Sequence, residues 1–306
     1  MLRISRWVIA FLFPAVRDTW LTFLRVGIGV EVTLYSLSLR HDWNNLLRAN
    51  GKGIISRDLS EAILNVQSSL VPRVDWLISL GSRFGLSEDV ALSAIWILLL
   101  SSACLLLLGL LSRVAAVTAW FLHLCAVNSE SLMTYGMDYF TTIGLFYLMI
   151  APLPDRYALG YRIWTRRPKD PHLLGFFQRV LQLHLCLVYF FSGLAKSLGV
   201  DWWNGTSVWR SLTCPPYNVL SSDTLLHFTW LLPLVGISVC VLELGYPFFI
   251  WPERTRPVWL VGILAMHVTT AFTMGLYLFS LIMVVLNLAA FGVQFLQNYA
   301  HVEESY

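Results

Sequence analysis

The chain has 306 residues, 57% of them hydrophobic and only 13% charged. A soluble protein carries roughly a quarter charged residues, so twenty-one basic and eighteen acidic side chains are too few to cover a water-facing surface. The bilayer is the expected solvent, in line with a mean hydropathy of +0.65. A formal charge of +3, spread among loops and not gathered in a stripe, excludes nucleic acid as a partner.

Arg3 and Arg6 precede a ten-residue apolar stretch, Trp7 to Val16, that Pro14 breaks and no small-residue cleavage site follows. Residues 1–17 are expected to be a retained interfacial helix. A span needs about twenty mainly apolar residues, because lipid offers no partner for an unpaired backbone group. Eight candidates run approximately over 19–38, 90–111, 113–128, 138–153, 175–196, 226–251, 257–275 and 277–296. The fold class is therefore all-α integral membrane, one domain over 1–306, since no long linker and no repeat of fixed period interrupts it.

Between the first two spans, residues 39–87 mix charge with apolar runs at Ile54 to Val66 and Val71 to Leu80. Amphipathic helices lying on the membrane are expected there, able to roof a site. Lysine and arginine set the orientation. The loop Pro154 to Pro171 holds Arg156, Arg162, Arg166, Arg167 and Lys169, whereas Asn128 to Met137 holds no basic residue. The former loop is expected to be cytoplasmic, with both termini on that side, residues 39–87 outside, and a bacterial plasma membrane as the location.

An ionisable side chain costs about 2.5 to 3.5 kcal/mol at a span centre, so each one asks for a reason. They are Arg25 and Glu31, His123, Arg179 and His184, Glu243, and His267. Arg25 and Glu31 are six apart and do not share a helical face, so each is expected to meet a different neighbour. Glu243 and His267, in consecutive spans joined by the short Trp251 to Pro257 loop, fall at similar depth and are expected to hydrogen-bond to each other. Glu130 and Asp138 lack a histidine at ligand spacing, and Cys104, Cys125, Cys186 and Cys240 sit in apolar runs without a CxxC, so no metal is expected.

The fifth span carries the clearest pattern. Gln182, Cys186, Tyr189, Gly193 and Lys196 follow at steps of four, three, four and three, which line one helical stripe. The stripe takes polar chemistry into the bundle and ends at Lys196, expected near the external face, just before Trp202 and Trp203. Desolvated among Tyr189, Phe190 and Phe191, the Lys196 amine would be neutral often enough to act as a base. A lone lysine that merely snorkels to water is the plainer alternative.

The segment LVYFFSGLAKSLGVDWW, Leu187 to Trp203, resembles the vitamin K-dependent gamma-carboxylases and their smaller relatives that carry the horizontally transferred transmembrane (HTTM) domain. Val188, Tyr189, Phe190, Gly193, Lys196, Trp202 or Trp203, and Gly205 carry the likeness, which extends more loosely through Arg25, the TYGMDYF stretch with Asp138, Glu243 and His267. The resemblance implies an eight-span fold and a catalytic lysine at Lys196. It also implies a reduced quinone of the vitamin K or menaquinone type as cofactor, with dioxygen driving modification, carboxylation among the options, of an external peptide or protein. Tyr189, Gly193, Trp202 and Trp203 would border the quinone, with Arg25, His123, Asp138, His184, Glu243 and His267 as supporting polar groups. Where the carboxylases have an Asn-His pair, this chain has Asn128 followed by Ser129, and His123 is the histidine nearest to stand in.

Two further functions compete. One is a non-catalytic membrane partner or maturation factor for a small secreted peptide or toxin, consistent with the missing Asn-His pair. The other is a quinone-binding electron-transfer subunit, which would need haem-ligating histidines across helices or a cysteine cluster that the sequence does not show.

Overall fold

The computed structural model describes residues 2–49, 56–130, 134–165 and 169–292. Ile54, Ile55, Arg166, Arg167, the middle of the Asn128 to Met137 connection and the end of the expected 277–296 span lie outside these ranges. Among the described residues every regular element is helical. In chain order they are α1 (Leu2–Leu12), α2 (Thr19–Ser38), α3 (Trp43–Leu47), α4 (Arg57–Gln67), α5 (Val74–Arg83), α6 (Glu88–Leu108), α7 (Ser112–Ser129) and α8 (Gly136–Ile150). They continue as α9 (Pro171–Ser197), α10 (Val200–Trp203), α11 (Thr206–Thr213), α12 (Ser222–His227), α13 (Leu231–Phe249), α14 (Arg256–Met274) and α15 (Tyr277–Asn287). Single π-helical turns cover Tyr161–Thr165 and Leu288–Gly292.

Helices stand at all eight expected span positions, but five of them, α2, α6, α9, α13 and α14, are long and apolar enough to cross a membrane. α15 with its π turn is apolar but shorter, and α7 and α8 have 18 and 15 residues. The boundaries move for local reasons. α6 stops at Leu108 because Gly109 turns left-handed at φ +71°, the usual glycine stop. The expected 226–251 span starts late, at Leu231, because the backbone leaves the helical region at Phe228 (φ −117°, ψ 24°), where the separate short helix α12 ends. Asp138 stands in the first turn of α8, where its carboxylate accepts from the Tyr135 backbone N–H at 3.0 Å and helps to cap the helix.

The chain packs as two compact units, Leu21–Asp170 and Met1–Trp20 with Pro171–Tyr306. In the first, α2, α6, α7 and α8 form the helical layer. α4 and α5 are the two amphipathic helices expected in the 39–87 segment, and they dock on α7. Asn128 donates to Pro72 O at 2.9 Å, Ser129 Oγ donates to Glu61 at 2.5 Å, and the Val74 N–H donates back to Ser129 Oγ at 2.8 Å. Thus Asn128 and Ser129 serve as a clasp for that segment. Burial in the clasp pushes the Glu61 carboxyl upward in pKa.

The second unit is built on α9. α1 lies along its start, where Arg179 donates to Phe11 O at 2.9 Å and places its guanidinium 4.5 Å from the Phe11 ring and 4.9 Å from that of Trp251. That settles Arg179 as a structural tie between α1 and α9. α13 runs against α9, and α14 returns beside α13 as its short loop requires, with Phe249 and Trp259 stacked at 4.3 Å. The π turn after α15 leaves the Ala289 and Ala290 carbonyls free to accept from Gln178 and Gln182 of α9.

Candidate functional site

The stripe on α9 is real and faces inward: Gln178, Gln182, Cys186, Tyr189 and Gly193 are buried, and Lys196 is 23% exposed in its side chain. What it meets differs from the expectation. Lys196 Nζ donates to both oxygens of Glu243, at 2.5 and 2.6 Å, and to Ser192 Oγ at 2.7 Å. It also lies 5.4 Å from the Trp202 ring centre. Glu243 therefore pairs with Lys196 and not with His267. His267 Nε2 instead bonds the Tyr189 hydroxyl at 2.8 Å.

Gly193 explains the pairing. A Cβ there would sit 2.7 Å from the Leu244 nitrogen and 2.9 Å from Glu243 Cβ, so the absence of a side chain lets α9 and α13 close one turn below Lys196. Glu243 lies twelve residues into α13, about 18 Å along its axis at 1.5 Å per residue. The amine is thus set well down the length of α13, deeper than its place near the end of α9 implied. α10 and α11 fold back over this end of α13: Gly236 abuts the Trp202 carbonyl, and Gly205, at φ +82°, abuts Pro233. Trp202 consequently borders the amine. Trp203 is 45% exposed and donates to Ser197 O at 2.8 Å, closing the end of α9 instead of joining the site.

We expect Gly193→Ala to push α9 and α13 apart, destabilising the protein by about 1 to 3 kcal/mol, as overpacking does. A thermal melt in detergent checks it; an unchanged midpoint would mean the two helices do not depend on this close approach.

Below the pair, one hydrogen-bonded cluster joins four helices. Asn287 Nδ2 donates to the Tyr189 hydroxyl at 2.7 Å and to Met283 O at 2.8 Å, while the Tyr246 hydroxyl donates to Asn287 Oδ1 at 2.7 Å. Tyr189 and Tyr246 rings lie 4.3 Å apart. Sequence reasoning missed Asn287 and Tyr246, although a lone asparagine in the apolar run Leu276 to Phe291 was a visible signal. His184 is off the stripe, half-buried, and takes no part in these bonds.

The remaining expected residues belong to the other unit. Arg25 is fully engaged in structure, donating to Asp155 at 2.5 Å and to the Leu106 and Leu107 carbonyls at 2.5 and 2.9 Å. Glu31 does meet a different environment, near Asp138, with both carboxyl oxygens buried and without a hydrogen-bond partner. His123 bonds Thr142 Oγ1 through Nδ1 at 3.0 Å, and its ring lies 5.1 Å from that of Tyr35, tilted by 60°. Because the Thr142 hydroxyl spends its hydrogen on Asp138 O, His123 Nδ1 is the donor and its buried Nε2 is a bare acceptor. Glu130, at the end of α7, has its carboxyl raised to about 7 by burial and by the nearby Asp138. Among the described residues no group of three His, Cys, Asp or Glu is placed to hold a metal ion.

Five helices of membrane-crossing length, and a buried lysine–carboxylate pair between two of them, α9 and α13, define a polytopic membrane protein with an ionisable site. The HTTM domain family model matches residues 85–293, more than half of the chain, and the protein belongs to that family. No curated protein and no solved structure matches it.

Proposed function

We propose that this protein is a membrane enzyme of the vitamin K-dependent carboxylase type, with all eight helices crossing the bilayer and the Lys196–Glu243 pair as its proton-handling group. The single observation that carries the reading is that pair: an amine and a carboxylate within 2.6 Å, Glu243 nearly dry, with Lys196 about two helical turns along α9 from the Tyr189 of the cluster with His267 and Asn287. A reduced quinone of the vitamin K or menaquinone type, held beside Lys196, would supply the electrons that reduce dioxygen, being converted to its epoxide and water, and so the driving force for deprotonating a substrate carbon that then takes up carbon dioxide.

The chain's own part follows from its groups. An amine this close to a carboxylate in a water-poor layer can pass its proton to Glu243, so the pair accepts a hydroxyl proton without creating an isolated charge. Lys196 also ends α9, where the helix dipole favours a positive charge, so the protonated product is held as well. The Trp202 ring shields one side of the amine. A flat aromatic ligand would enter from lipid, beside Phe190 of α9 and Phe248 of α13. A secreted peptide or protein is the proposed substrate.

A second reading, a non-catalytic maturation factor for a small secreted peptide, is favoured by one observation: Asn128 and Ser129 are consumed in the clasp on α4 and α5. One experiment separates the two. The purified protein in lipid, given reduced menaquinone, should consume dioxygen and form epoxide, and Lys196→Ala should lose at least tenfold of that rate. Equal rates in both would leave the maturation-factor reading standing.

A further inference from the structure

The cluster beneath Lys196 fixes a tautomer. The Asn287 amide is oriented by Met283 O, which can face only its nitrogen, so Oδ1 takes the Tyr246 hydrogen and Nδ2 gives its second hydrogen to the Tyr189 oxygen. The hydroxyl hydrogen of Tyr189 then has His267 Nε2 as its acceptor, at 2.8 Å. The reverse arrangement, with Nε2 protonated, would leave that hydroxyl hydrogen unpaired inside a residue only 2% exposed. His267 is therefore neutral with its proton on Nδ1. That N–H is buried and has no hydrogen-bond partner. Orphaned buried N–H groups are rare in folded proteins and ask for a reason.

His267 is 4% exposed, on α14, with the Phe279 ring edge-on at 5.7 Å. Lys196 is close enough to act on it electrostatically. We propose that the Nδ1–H of His267 is a ligand-binding donor, which hydrogen-bonds one oxygen of a quinone or hydroquinone ring held beside Lys196. The proposal rests on the functional reading above and adds to it a binding residue whose orientation is set by Tyr189 and Asn287. Tyr189 is by the same logic a positioning residue, not a ring-stacking one: its hydroxyl is committed on both sides.

The test uses full-length protein in nanodiscs, with menadione as the probe, reading affinity by tryptophan quenching and the bound carbonyl by its infrared stretch. His267→Gln places an amide where Nε2 was and preserves the Tyr189 contact while deleting the Nδ1 donor. It should weaken binding about tenfold, one hydrogen bond's worth, and return the lowered carbonyl band to its unbound position. His267→Asn keeps a donor near Nδ1 and should retain the lowered band. Tyr189→Phe, which frees Nε2 to take the proton, should weaken binding in the same direction even if His267→Gln folds poorly. Wild-type affinity and a carbonyl band lowered as in the wild type, in both His267→Gln and Tyr189→Phe, would overturn the assignment while leaving the quinone reading intact. Failure of the wild-type protein to bind menadione would overturn both together.

Discussion

Lys196→Met should cost this protein about 3 kcal/mol of stability, the low end of the range for breaking a buried ion pair, and lower its melting temperature by several degrees. The sequence alone predicts the opposite, since a snorkelling lysine exchanged for a methionine of similar length is easily tolerated. The structure reverses that expectation because the cost does not arise at position 196. It arises at Glu243, 6% exposed, whose two oxygens both accept from the amine. Without Lys196 that carboxylate must stay charged in an apolar layer or take up a proton, and either is unfavourable. Glu243→Gln should cost less, because the amine is 23% exposed and retains Ser192 and the face of Trp202. The double variant Lys196→Met with Glu243→Leu should recover most of the loss, since two apolar groups replace the pair at similar volume. A thermal-melt double-mutant cycle measures the coupling; below about 0.5 kcal/mol the two side chains act independently and the pair is no clamp on α9 and α13. This cycle also protects the activity test, because lost turnover in Lys196→Ala counts as chemical only if the variant is shown to be folded.

How much of this was legible beforehand depends on the range of the interaction. The positions of the eight apolar helices and of the amphipathic pair α4 and α5 follow from local hydropathy and periodicity, and so does the inward stripe on α9. Helix ends were less legible: the stop at Gly109 needs a left-handed φ, and the late start of α13 needs the non-helical backbone at Phe228, each a one-residue event inside an apolar stretch. Pairing across helices was the least visible. Glu243 and His267 have matching depths, yet depth says nothing about rotation about the helix axis, and rotation sends Glu243 to α9 at Gly193 while His267 turns to Tyr189. Gly193 was read as part of a motif; its physical role, letting two backbones meet so that a lysine reaches a carboxylate, needed the neighbouring helix. Asp155 was overlooked for a related reason. It lies in a basic loop where an aspartate looks like ordinary surface charge, and only the fold shows it fully buried.

That buried aspartate makes Arg25→Ala the substitution expected to cost most in the Leu21–Asp170 unit, about 3 to 5 kcal/mol, with much reduced yield of folded protein. Arg25 is 2% exposed and does two jobs at once. Its Nε and Nη2 face Asp155, and its Nη1 donates to Leu106 O, which also accepts from the Gly109 N–H at 3.1 Å, and to Leu107 O in the last turn of α6. Gly109 makes room for this: a Cβ there would lie 3.1 Å from the Arg25 guanidinium carbon and 2.6 Å from Ala158. Removing the guanidinium would leave the buried Asp155 carboxylate without its counter-charge and take a donor from the Leu106 and Leu107 carbonyls at the same time, which is why the loss should exceed that of a lone hydrogen bond. Arg25→Lys should restore only a minor part, because one ammonium lacks the planar fork needed to serve Asp155 and both carbonyls. Asp155→Asn should be milder than Arg25→Ala, since Thr22 and the Tyr157 N–H can still donate to its side-chain oxygen. Melting Arg25→Ala, Arg25→Lys and Asp155→Asn in the same detergent ranks them. Should the lysine variant melt with the wild type, Arg25 would be acting as a simple charge, and the tie between α2, the end of α6 and the loop at Asp155 would not depend on its geometry.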